Sequence, residues 1–130
     1  MSTDLKNSIA VASSLRPASR TAAVNGTGVD RAGFEASVVI LDLGAIGGTT
    51  PSFTFEVQES TDNSVFTAVA AADLDGGQPA AFTTGDSVTE IGYRGVKRYL
   101  RVAITAVSGT TPTLLCSATV VRGKARKLPV

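Results

Sequence analysis

The chain has 130 residues and a mass of 13.2 kDa, with 43% hydrophobic, 18% charged and 5% aromatic side chains and a net charge of +1. That length suits one domain with a core of its own. With no His and a single Cys, a His-based triad, a His metal site, an internal disulfide and a Cys-rich zinc site are all excluded.

Residues 1–20 carry no clear period, and Pro17 interrupts them. Two readings stay open there. One is a short helix from Thr3 to Ser13 with Leu5 and Ile9 on one face. The other is an extended arm that orders against another chain. The apolar stretch 9–12 is too short for the core of a secretory leader. No apolar run approaches the ~18 residues of a membrane span. The chain is therefore expected to be made in a cytoplasm, with no membrane partner.

From residue 22 onward the pattern is β. Residues 22–24 lead into the turn signal Asn25-Gly26. Residues 34–43 form the most apolar strand, and the run Val38, Val39, Ile40, Leu41 predicts cover on both faces. Residues 52–59 alternate cleanly, with Phe53, Phe55 and Val57 pointing one way. Strands are also predicted at 65–70, 87–91, 99–107 and 113–121, with an Asp- and Gly-rich loop at 73–79. The fold class is all-β, an antiparallel β-sandwich of seven or eight strands. The domain is placed at 21–122, between an N-terminal arm (1–20) and a basic C-terminal tail (123–130). The expected core is Phe34, Val38, Ile40, Phe53, Phe55, Val57, Leu100, Val102, Ile104, Leu114, Cys116, Ala118 and Val120.

One tetrapeptide occurs twice. Gly48-Thr49-Thr50-Pro51 and Gly109-Thr110-Thr111-Pro112 each follow an apolar strand and precede another. Both read as hairpin connections, with Pro just before the returning strand, where its missing N–H does least harm.

Chemistry-bearing constellations are few. On a strand, Glu56 and Glu59 point to opposite faces, which argues against a paired-carboxylate acid/base site. The segment Asp73-Leu74-Asp75-Gly76-Gly77 lacks the later Glu of an EF-hand loop and reads as a polar loop. Cys116 sits on the apolar face of its strand and reads as a buried thiol. No catalytic residue, cofactor site or metal site is expected. Charge is the stronger signal. Residues 1–90 hold 4 basic and 11 acidic side chains, a balance of −7, while residues 91–130 hold 8 basic and no acidic ones, +8. Such a split pairs the two parts of one fold, or joins one subunit to the next. Nucleic acid is not the expected partner, because aromatic rings do not alternate with the basic residues.

The runs Phe55-Glu56-Val57-Gln58-Glu59-Ser60-Thr61-Asp62, Phe66-Thr67-Ala68-Val69, Gly92-Tyr93-Arg94-Gly95 and Arg98-Tyr99-Leu100-Arg101-Val102 resemble small structural proteins of tailed bacteriophages. Among these they resemble most the jelly-roll cement, or decoration, proteins of capsids, over roughly residues 30–123. The resemblance implies a non-enzymatic jelly-roll subunit on the outer surface of the virion capsid. It would form a homodimer or homotrimer, contact the major capsid protein and hold neighbouring capsomers together. Arg94, Lys97, Arg98, Arg122, Lys124, Arg126 and Lys127 are then the expected capsid or subunit contacts. A phage tail or neck protein and a carbohydrate-binding β-sandwich module are the alternatives. The second needs exposed aromatic platforms, and the chain has no Trp, two Tyr and five Phe.

Overall fold

The computed structural model describes residues 5–125. It contains eight strands: β1 (Ala10–Arg20), β2 (Val24–Asn25), β3 (Val29–Asp30), β4 (Phe34–Ser60), β5 (Thr67–Ala68), β6 (Leu74–Asp75), β7 (Ser87–Tyr93) and β8 (Tyr99–Ala125). All pairs are antiparallel and belong to one sheet, ordered β1-β8-β4-β7-β6, with β2 and β3 also on β8 and β5 also on β4. Two single-turn 3₁₀ helices, Lys6–Ser8 and Ala71–Asp73, complete the secondary structure of the described residues.

The frame is the pair β4 and β8, each 27 residues long and matched from Phe34↔Ala125 to Ser60↔Tyr99. The repeated tetrapeptides are not hairpin turns. They lie opposite each other in the middle of this pair, with Thr49 across from Thr110. Both copies adopt the same backbone. Gly48 and Gly109 have φ of 102° and 110°, and Thr50 and Thr111 have φ of 47° and 46°. Register shifts cluster there. These are paired bulges on a local two-fold, where both strands bend together. The sequence signal was a turn signal because positive φ and Pro serve a bulge as well as a turn.

The paired bulges divide the long ladder into two segments, and both feed one core cluster. Val39, Leu41, Leu43, Leu114, Cys116, Ala118 and Val120 come from one segment. Phe53, Phe55, Val57, Leu100, Val102 and Ile104 come from the other. Phe82 closes against Phe55 edge to face at 5.5 Å. The alternation of 52–59, 99–107 and 113–121 is thus observed as read. The phase of 34–43 is not. Val39, Leu41 and Leu43 are buried, whereas Phe34, Val38 and Ile40 are only partly covered. A run of four apolar residues offers no alternation to choose the phase. The ladder to β7 and β8 chooses it.

Residues 10–20 also differ from expectation. They are neither helix nor an arm on another chain, but β1, paired with β8 from Ala10↔Arg122 to Arg20↔Leu114. Two register shifts, between Ser13 and Leu15 and between Leu15 and Ala18, break the alternation that would have announced a strand. Pro17 is tolerated because β1 is an edge. At the first shift Ser14 ties β1 to the other segment of the ladder. Its hydroxyl donates to Thr27 O (2.9 Å) and accepts from Val102 N–H (2.9 Å). The predicted 65–70 strand shrinks to β5, and the predicted 73–79 loop contains β6. Gln78 explains the shrinkage. Its side-chain amide accepts from Val57 N–H and donates to the Val57 and Val69 carbonyls, at 2.9, 2.9 and 3.0 Å, taking the place of a longer strand. The predicted tail begins later than residue 123, because β8 runs to Ala125.

Candidate functional site

Among the described residues no three His, Cys, Asp or Glu side chains gather as a metal site requires. Glu56 and Glu59 serve separate partners, the Gln58 amide and the Tyr93 hydroxyl. Cys116 is buried, and burial raises its pKa, so it stays a protonated thiol.

Of the sequence-predicted contact residues, Lys97 and Arg98 line one end of the sheet, where the β3–β4 turn meets the β7–β8 loop, and Arg122 reaches it through the Asp30 carbonyl and the Phe34 ring. Two adjoining depressions of about 210 and 220 Å³ lie there, lined by Arg31, Phe34, Glu35, Val96, Lys97 and Arg98 among others. The floor is Arg31, only 6% exposed. Its Nε donates to Ser37 Oγ (2.8 Å), one terminal nitrogen donates to the Lys97 carbonyl, and its plane lies 4.5 Å from the Tyr93 ring centre. Tyr93 in turn donates through Oη to Glu59 Oε1 at 2.6 Å and accepts from Lys97 N–H at 3.2 Å. Burial, then the bond to Glu59, holds the Tyr93 pKa above its usual value, so the phenol stays neutral and donates. Desolvation lowers the Arg31 pKa, and the Tyr93 and Glu59 side chains act against that shift. A guanidinium remains charged under such a shift. The cleft therefore has a fixed cation at its base.

The rim is also built by pairing. Arg98 grips Asp30 with two parallel bonds of 2.9 Å and lies 5.1 Å from the Tyr99 ring centre. The Arg98 bonds, then the Ala32 N–H, bring the Asp30 pKa down to about 2. Arg122 donates to the Asp30 carbonyl at 2.9 Å and stacks on Phe34. Arg94 pairs with Asp75 at 3.4 Å. Part of the −7/+8 split is thus spent inside the chain. Three of the seven expected contact residues, Arg94, Arg98 and Arg122, have partners in their own subunit. Lys97 and Lys124 have no ion pair among the described residues. Arg126 and Lys127 lie outside the described residues.

Sequence reasoning missed Arg31, Tyr93 and Glu59 as a unit. No motif singles out residues 30–33, and no spacing links positions 31, 59 and 93. At the loop tip the structure adds Val96, 93% exposed between Gly95 and Lys97. An apolar knob over a cationic floor suits an acidic, partly apolar protein surface. The cleft brings together no nucleophile and base. Comparison with protein-family models, with curated proteins and with solved structures gives no match.

Proposed function

We propose that the chain is a non-enzymatic structural subunit of a tailed-phage virion, a capsid cement protein that docks its basic cleft on acidic shell surface. In this reading the folded-over sheet is a jelly-roll-type sandwich whose halves share their long central strands. The observation that carries the reading is the braced loop 94–98. It presents Val96 beside Lys97 above a buried guanidinium that is locked by Ser37, Tyr93 and a backbone carbonyl. Such a preorganised knob loses little freedom on binding. Apolar contact supplies affinity, while Lys97, Lys124, Arg126 and Lys127 set orientation and encounter rate. A bridging contact of this kind needs about 1,000 Å² of buried area or more.

The test is co-sedimentation with undecorated shells assembled from the major capsid protein of the same genome. Saturable binding is expected, slowed by salt. Val96→Asp should abolish it. Charge reversal of Lys124, Arg126 and Lys127 together should lower the association rate and flatten its salt dependence. Absence of binding, or wild-type binding by Val96→Asp, would overturn the proposal.

A further inference from the structure

We infer that the N-terminal half of β1 is a pairing edge for a second copy of this chain, forming an antiparallel β1–β1 dimer across a two-fold axis. The strand β1 ends the sheet, so alternate backbone groups along it face away from β8. Its two halves treat that edge differently. In the C-terminal half Pro17 has no N–H to offer, and the Arg20 side chain donates to the Arg16 carbonyl at 3.0 Å. At Ser14 the carbonyl is taken by Thr27 N–H at 2.7 Å. Over residues 9–13 no such device exists. There is no Pro and no charge, and no backbone hydrogen bond other than to β8 is made there among the described residues. Sheet edges are ordinarily blunted by Pro, charge or cover, and here half of one strand is and half is not.

The choice of a second copy over a foreign strand rests on charge and symmetry. A charge at or near a two-fold axis meets its own copy, so self-pairing requires an uncharged stretch. Residues 9–15 supply one of seven residues, Ile-Ala-Val-Ala-Ser-Ser-Leu. A foreign strand imposes no such requirement. The side chains agree. Val11, 58% exposed, is level with Val121 of β8, which is level with Val38 of β4. Pairing across β1 would join this valine row to its symmetry mate, giving one apolar stripe across both subunits. A ladder of five residues is about 17 Å long. It buries less than the roughly 1,200–2,000 Å² of specific, stable complexes, so the dimer forms only at high concentration. The inference does not depend on the proposed function. Its test contains no shell, so the two fail separately.

Sedimentation velocity of the intact chain, carried into the hundreds of micromolar, should show a monomer–dimer equilibrium. Val11→Lys should weaken it at least tenfold, and Val65→Lys, at an equally exposed valine elsewhere, should not. A mixture of Val11→Lys and Val11→Glu should restore the dimer. In the wild type, amides of residues 9–13 should gain hydrogen-exchange protection as concentration rises, a readout that does not depend on how any variant folds. A wild type that stays monomeric, or that dimerises without added protection at residues 9–13, overturns the inference. So does a Val11→Lys variant that dimerises like the wild type.

Discussion

Replacing Gly48 with Ala, and separately Gly109 with Ala, should destabilise the fold by similar amounts. At Gly48 a Cβ would lie 2.7 Å from the Thr111 carbonyl oxygen and 2.8 Å from that of Thr110. At Gly109 it would lie 2.7 Å from the Thr50 carbonyl oxygen and 2.9 Å from that of Thr49. In both cases the obstacle is the backbone of the opposite copy, which cannot rotate away as a side chain can. Positive φ costs an L side chain roughly 1–2 kcal/mol, and forcing apart packed atoms adds about 1–3 kcal/mol. Each substitution should therefore cost about 2–5 kcal/mol. For a domain of this size that is a fall in Tm of roughly 6–25 °C. Gly33→Ala is the control. Its φ is 88°, but no atom lies within 4 Å of the added Cβ, so it carries the backbone term alone, about 1–2 kcal/mol. The two crossing sites touch one another's copies, so Gly48→Ala with Gly109→Ala should cost less than the sum. Urea unfolding with fixed m-value measures all four variants. Losses at Gly48 and Gly109 no larger than at Gly33, or a loss at one and none at the other, would refute the paired bulge.

Phe55→Ala should cost about 3–5 kcal/mol, because the ring is 1% exposed and packs on Phe82; calorimetry gives the value. Tyr93→Phe should cost about 1–2 kcal/mol by stranding the Glu59 carboxylate and Lys97 N–H, and should loosen the 94–98 loop, visible as faster amide exchange at Lys97. Asp30 has its pKa lowered in the fold. Its contribution is therefore complete above the unfolded value of 3.8 and is lost as pH falls toward 2. Both partners are about half exposed, so the solvent-screened contribution is about 0.5–1 kcal/mol. Asp30→Asn should lower stability by that much at neutral pH and leave it unchanged at pH well below 2.

Much of the fold was legible where one face is wet and the other dry. Phe53, Phe55 and Val57, and Leu114 through Val120, alternate because water on one side enforces it. Legibility failed where that contrast is absent. Val38 to Leu41 is apolar on both faces, so the phase could not be read. β1 carries two bulges in eleven residues, and each resets the alternation before a period can show. The twin tetrapeptides were noticed, but their meaning depends on a partner 61 positions away, and local turn chemistry does not encode that. The charge split drew attention to Lys97 and Arg98, which line the cleft. It could not show that Asp30 and Asp75 already occupy two of the arginines, since pairing across the sheet is a property of topology. Arg31 was silent because nothing in its neighbourhood marks it for burial.

The pairing of β4 with β8 also governs when the molecule can fold. Its nearest contact in sequence, Ser60 with Tyr99, closes the shortest loop in that ladder, and the pairing extends from it to Phe34 and Ala125. β1 finds its partner only in β8. β1, and the face of β4 that pairs with β8, therefore stay unsatisfied until β8 has left the ribosome. Until then a 27-residue strand waits unpaired over much of its length. Chains dominated by such distant pairings fold in milliseconds to seconds, and their half-made sheets invite intermolecular pairing. Loss of the C-terminal strand removes the neighbour of β1 and half the ladder of β4 in one step, so truncation within β8 should yield aggregates, not a smaller folded subunit.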